Sequence, residues 1–120
     1  MTINDIVLEM KKHPDYRNAG LILYHNGTVR NTSRSGEKVS ALEIYVDHPG
    51  LEKLLEEQKK RDGIIEILVH IEENKKLYPG DDVMYLAVAG DIREHVIAVL
   101  TDTLEAIKTE FTRKKEFFPE

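Results

Sequence analysis

The chain has no cysteine. That removes disulfides, thiolate metal sites and cysteine nucleophiles together, so any sulfur chemistry here would need sulfur delivered by a partner. Long apolar runs are missing too. Those present are short, as in Gly20-Leu21-Ile22-Leu23-Tyr24, far from the roughly 20 residues that cross a bilayer, and none reads as a signal-peptide core. The expectation is a soluble cytoplasmic protein with no membrane contact. Positive charge is in deficit: 17 Lys and Arg stand against 22 Asp and Glu, a net charge of −5. A general nucleic-acid binder would normally show a basic face, so nucleic acid is not expected as a partner. The five histidines, at 13, 25, 48, 70 and 95, form neither His-x-x-x-His nor His-Glu-x-x-His, which argues against a zinc site. Glycine-rich phosphate loops of the Gly-x-x-x-x-Gly-Lys or Gly-x-Gly-x-x-Gly type are absent as well. Ser33 and Ser35 have no base nearby in sequence. No metal and no permanently bound cofactor are expected.

What is present suffices for one folded domain spanning 1–120. Hydrophobic residues make up 41% of the 120, enough for a real core, and no stretch reads as a linker. Thr2-Ile3-Asn4-Asp5 resembles a capping box, followed by Ile6, Val7 and Met10 at helical spacing, which predicts a helix over 3–12. Ala19 to His25 reads as a strand, residues 26–38 as an exposed loop, and Val39 to Val46 as a second strand. After Pro49-Gly50, the stripe Leu51, Leu54, Leu55 marks a helix that stops at Asp62-Gly63. Ile64 to Ile71 and Val83 to Ala89 give two more strands around the turn Tyr78-Pro79-Gly80-Asp81. The last helix is expected from Asp91 to about Lys115. Asp91 and Glu94 supply its capping box, and Val96, Val99, Leu100, Leu104 and Ile107 its core face. The order is helix, two strands, helix, two strands, helix. It implies an α+β fold, a single domain with a mixed or antiparallel sheet and packed helices in an α/β-hammerhead-like arrangement.

The final helix carries the most suggestive charges, Arg93, Lys108 and Lys115. On a helix, Lys108 and Lys115 would share one face about 10 Å apart, a spacing that suits an anionic substrate. Cations complementing the dipole at a helix C-terminus are an equally available reading. Arg93 would lie about 22 Å from Lys108, too far to serve one small ligand from one straight helix. It therefore either pairs locally with Asp91 or Glu94, or serves the site of a symmetry mate across a two-fold dimer. Arg30, at a strand-to-loop junction, has the geometry to fork onto a phosphate or carboxylate, or to pair with a surface acid.

Several separated segments resemble one family, the large catalytic subunit of molybdopterin synthase. They are Gly27-Thr28-Val29-Arg30, Ser40-Ala41-Leu42-Glu43, His48-Pro49-Gly50-Leu51, Val69-His70 followed by Tyr78-Pro79-Gly80-Asp81, and the spacing of Arg93, Lys108 and Lys115. Together they span roughly residues 5–117. The resemblance implies a sulfurtransferase of molybdenum cofactor biosynthesis. A small ubiquitin-like sulfur-carrier subunit would insert its C-terminal Gly-Gly thiocarboxylate. Sulfur would pass to cyclic pyranopterin monophosphate, opening the cyclic phosphate and forming the molybdopterin dithiolene. It further implies a homodimer of large subunits within a heterotetramer, with pockets drawing on both. Lys115 matches the lysine at the reaction centre, Lys108 the second essential lysine, and Arg30 and Arg93 the substrate-binding arginines.

The sequence departs from the family at defined places. Ile92 stands before Arg93 where a histidine is usual, and His70-Ile71 replaces a His-Arg pair. His25 takes the place of an aromatic, and Thr112-Arg113-Lys114 replaces Pro-x-Trp. The sequence also stops at Glu120, short of a tail that often adds a basic residue to the neighbour's pocket. His95 is a candidate replacement for the missing histidine, while His70 reads as a structural one. The alternative function is a non-catalytic relative, a binding module for a ubiquitin-like tail or a pterin phosphate.

Overall fold

One strand organises the architecture. In a computed structural model describing residues 1–120, β4 (Asp82–Gly90) lies between β1 (Leu21–Thr28) and β3 (Ile64–Ile71) in a three-stranded antiparallel sheet. From Met84 onward β4 is buried at every position. Its apolar sequence follows from being covered on both faces, because successive side chains point to opposite sides. Met84, Leu86 and Val88 join the larger core with Leu51 and Leu54 of α2 (His48–Lys59) and Val96 and Val99 of α3 (Arg93–Ala106). Tyr85, Ala87 and Ala89 form a second cluster with Ile6 and Met10 of α1 (Ile3–Lys11). The Thr2 cap holds α1 as expected: the Asp5 amide donates to the Thr2 hydroxyl, and the Thr2 amide donates to the Asp5 carboxylate.

A separate two-stranded antiparallel ribbon pairs β2 (Ala41–Val46) with β5 (Thr112–Phe117). This corrects the last element of the sequence reading. The helix does not continue to Lys115: α3 ends at Ala106, a π turn follows at Ile107–Phe111, and the chain becomes a strand at Thr112. The wide turn has a visible hook, the Thr112 hydroxyl donating to the Ile107 carbonyl at 2.9 Å. Ile107, 1% exposed, anchors the turn in the core. Pairing with β2 then satisfies backbone groups that a longer helix would have satisfied internally. Both sheets are antiparallel, with no parallel pairing. No helix is long and apolar enough to cross a membrane.

Other boundaries shift locally. β1 runs to Thr28 and takes up residues expected in the loop. α2 stops at Lys59, and Gly63 sits in the following turn at φ 76°. A Cβ at Gly63 would fall 2.1 Å from the Asp91 Oδ1 and 2.3 Å from the His95 Nδ1, so this position needs glycine for both its backbone and its neighbours. The expected Asp91–Glu94 capping box does not form. Ile92 is the N-cap and offers no side-chain acceptor, because the Asp91 carboxylate instead accepts from the Ile92 amide and the His95 ring.

The principal axes measure 52 × 26 × 24 Å with a radius of gyration of 15.3 Å. That exceeds the roughly 14 Å expected for a round domain of this length. Two sheets sharing a core without stacking into a closed sandwich account for the elongation.

Leu86→Ala is expected to lower the unfolding free energy by about 2–5 kcal/mol, because Leu86 has no exposed surface and the cavity lies at the centre of the sheet. Thr112→Val should cost less, about 0.5–1.5 kcal/mol, by removing only the hook of the π turn. Urea titration of both variants against wild type checks the two values and their order.

Candidate functional site

The end of β1, the following loop, the ribbon and the π turn enclose a pocket of about 550 Å³. That volume falls in the range of small-molecule sites. Leu42, Ile44, Ile71 and Met84 supply apolar wall, and the polar lining is dominated by cations: Arg30, Arg34, Lys108 and Lys114, against Glu105 and Glu116. None of these four cations forms an ion pair with a carboxylate. Four unneutralised cations converging in a chain of net charge −5 make a field suited to an anion.

Each cation is placed by a local device. Val29, buried at 3%, exchanges backbone hydrogen bonds with the Tyr78–Asp81 turn, its amide donating to Asp81 and its carbonyl accepting from Gly80. Arg30 follows that anchor into the pocket, and its Nε donates to the Thr32 carbonyl at 2.9 Å. That leaves the terminal guanidinium nitrogens for a ligand. Lys108 projects from the π turn, one residue past the buried Ile107. Lys114 is set by strand alternation: Thr112, Lys114 and Glu116 line the pocket, as do Leu42 and Ile44, which pair with Glu116 and Lys114 across the ribbon.

The same alternation separates two residues that the helical reading joined. Lys115 lies on the opposite face of the ribbon, in register with Glu43, its Nζ 4.9 Å from the centroid of the Phe117 ring. Lys76 approaches that ring at 4.5 Å, and Arg113 lies over Tyr45 at 5.9 Å. The Tyr45 hydroxyl donates to the Glu43 carboxylate, a bond that raises the phenol above its ordinary value. The structure therefore brings Arg30 and Lys108 together in the pocket and leaves Lys115 outside it.

Arg93 opens α3 and does not reach the pocket either. It makes no ion pair with Asp91 or Glu94, and Asp91 is engaged by His95 at 2.8 Å. That pairing holds the Asp91 carboxyl below its usual range, with the His95 hydrogen bond as the largest cause. His95 is accordingly tied to the turn at Gly63. His70 is a satisfied histidine, with its Nε2 3.1 Å from Glu72 and its ring stacked on Tyr85. No three His, Asp or Glu side chains converge as a metal-ligand set.

His25 differs from the other histidines. It lines the pocket, and its Nε2 is buried with no hydrogen-bond partner. Burial first, and the Lys108 charge second, hold its pKa below the ordinary value of 6.5.

A family model described as MoaE protein matches residues 2–110. The chain belongs to the MoaE family. Arg30, Arg93 and Lys108 lie within the matched residues of this MoaE chain, and Lys115 lies beyond them. Among solved structures, molybdopterin cofactor biosynthesis protein E from Burkholderia multivorans is 26% identical, with a TM-score of 0.77 over 99% of this chain and 82% of that one. Molybdopterin synthase from Staphylococcus aureus is 22% identical, with a TM-score of 0.72 over 86% of this chain and 77% of that one. A complex of subunits 1 and 2 of molybdopterin-converting factor from Helicobacter pylori contains a chain of the same fold. It is 14% identical, with a TM-score of 0.75 over 98% of this chain and 80% of that one. No curated protein matches the sequence.

Lys114 and Arg34 are pocket residues that the sequence reading missed. Lys114 carried no periodic signal: Arg113 to Glu116 are all charged, so neither face of the strand is marked as apolar. Its charged composition disguised a strand as a helix end. Arg34 carries no signal either, since its position depends on how the loop folds back through the Thr32–Lys38 bridge.

Because the folded-state pKa of His25 lies below its unfolded value, the unfolded chain takes up that proton first on acidification. Its stability contribution is full above pH 6.5 and is lost as pH falls from there through the folded pKa. His25→Phe is expected to remove that portion of the pH dependence. Urea titrations of wild type and variant at a series of pH values from neutral downward should therefore give a stability difference that changes with pH.

Proposed function

We propose that this MoaE chain is the large subunit of a molybdopterin synthase, acting in molybdenum cofactor biosynthesis. In this reading it accepts sulfur from the C-terminal thiocarboxylate of a small ubiquitin-like subunit and passes it to cyclic pyranopterin monophosphate. The observation that carries the reading is the pocket of four unpaired cations in an acidic chain. Family membership and the Burkholderia multivorans relative support it, and the Helicobacter pylori complex of two subunits supports a small-subunit partner.

The chemistry gives these residues definite work. Substrate phosphate and thiocarboxylate are both anions and repel each other, so the site must neutralise both before carbon and sulfur can meet. Arg30 presents a planar fork suited to the phosphate. Lys108, beside the apolar wall, stabilises the charge that develops on oxygen as sulfur adds and the cyclic phosphate opens. Lys114 adds a third positive charge on the ribbon side. Lys115 and Arg93 belong to the same proposal from outside the pocket. Arg93 would serve a second copy's site across a two-fold dimer, since fifteen residues separate it from Lys108. Lys115 would act from the other face of the ribbon.

One observation favours the alternative, a binding module that holds the tail or a pterin phosphate without turnover: Lys115 is outside the pocket. Reconstitution separates the two. Purified chain, thiocarboxylated small subunit and precursor should yield dithiolene product, and Lys108→Ala should lose about 10²–10³-fold in rate with its fold intact. Tail binding without product would instead establish the binding module. The same assay on Lys115→Ala reports whether the outer face of the ribbon takes part.

A further inference from the structure

His25 is the one histidine lining the pocket, and the charge argument leaves it unused. Its Nε2 is one of two buried side-chain polar atoms without a partner, the other being Thr103 Oγ1. It lies over the bare backbone of Gly27: a Cβ there would fall 3.4 Å from Nε2 and 3.2 Å from the Met84 Cγ. Its neighbour there is the Met84 Cγ, part of a flexible side chain that repacks readily when a ligand enters. His25 lines the pocket while its Nε2, packed against Gly27 and Met84, is bonded to nothing, so a shift of the Met84 side chain gives a ligand or water a lone pair to meet.

The charged groups around it define what it can do. Lys108, whose charge acts on it, lines the same pocket from the π turn, as do Arg30 and Arg34 from the loop after β1, Glu105 from α3, and Lys114 and Glu116 from β5. β4 contributes only apolar Met84 and Leu86 beside it. Lysine and arginine arrive protonated and accept no proton. Carboxylates are much weaker bases than imidazole. Among the side chains lining the pocket, a neutral imidazole is the best-matched proton acceptor near neutral pH, and burial first, with the Lys108 charge second, favours its neutral form.

We propose that His25 is the general base for the water that releases the partner's tail, a role that rests on the sulfur-transfer reading above. Once the thiocarboxylate sulfur has bonded to a substrate carbon, the tail is an acyl thioester. Water oxygen then bonds to the acyl carbon and the acyl carbon–sulfur bond breaks. The electron pair leaves on sulfur as a thiolate, the first water proton goes to Nε2, and the tail departs as a carboxylic acid that loses the second proton to solvent. No oxidant or reductant is needed. Lys108 faces the same space and steadies the tetrahedral oxyanion. The depressed pKa of the imidazole keeps it in the basic form through the neutral range.

The test is a single-turnover reaction of the large subunit with thiocarboxylated small subunit and precursor, followed by mass spectrometry of the tail–substrate adduct. Wild type should break the adduct down at a rate that falls as pH drops through the titration of His25. His25→Phe should form the adduct at the wild-type rate, break it down about 10²–10⁴-fold more slowly, and lose that pH limb. His25→Ala should recover breakdown when imidazole is added, which a packing defect would not. Equal breakdown rates and pH profiles in wild type and both variants would overturn the assignment. So would a variant blocked at adduct formation instead of adduct breakdown. If wild type forms neither adduct nor product, the sulfur-transfer reading itself fails, a result distinct from either of those.

Discussion

The pairing of β5 with β2 is the constraint on which the site depends. For the chain to reach the β2 edge after α3, the helix must end, and it ends in a wide π turn secured by Ile107 in the core and the Thr112 hydroxyl on the Ile107 carbonyl. That turn carries Lys108. The strand that follows forms the wall carrying Lys114 and Glu116. Had α3 continued for another two turns, the backbone would still have been satisfied internally. The pocket would then have lacked one wall, and β2 would have been left with an unpaired edge.

The pocket assembles charge that the rest of the molecule dilutes. Its four cations come from the loop after β1, the π turn and the ribbon, stretches separated by some eighty residues. Mutual repulsion among them opposes folding, and no protein carboxylate relieves it through an ion pair. An anionic ligand would relieve it, so part of the binding energy of such a ligand is stored as unrelieved repulsion in the free protein. His25 is placed within the same field. Burial chiefly, and the Lys108 charge that also draws anions to the pocket, hold its pKa below the ordinary value.

Much of the fold was legible from local pattern. The Thr2 cap, the Leu51–Leu54 stripe, the strand Ile64–Ile71 and the core face of α3 through Ile107 all stand where periodicity put them. Each is a case in which one element's own spacing determines which face is buried. The errors have two causes. Thr112 to Phe117 has the composition of a solvated helix end, and only a long-range partner, β2, makes it a strand. Asp91 has the right chemistry for a cap but lies one residue early, and its carboxylate goes to His95.

The site was legible in the same proportion. By itself the sequence determined that sulfur could not come from this chain, since it has no cysteine. It also placed Arg30 after a strand, and it put Lys108 on a helix that in fact ends two residues earlier, at Ala106. The family could be inferred from ordered segments, because these are short and local. Tertiary structure alone decided that Lys114 and not Lys115 faces the pocket, that Arg34 joins it, and that Arg93 is left without a local partner. Those outcomes turn on strand parity and on contacts between residues far apart in the chain. A one-residue change of register inverts such facing while leaving composition unchanged.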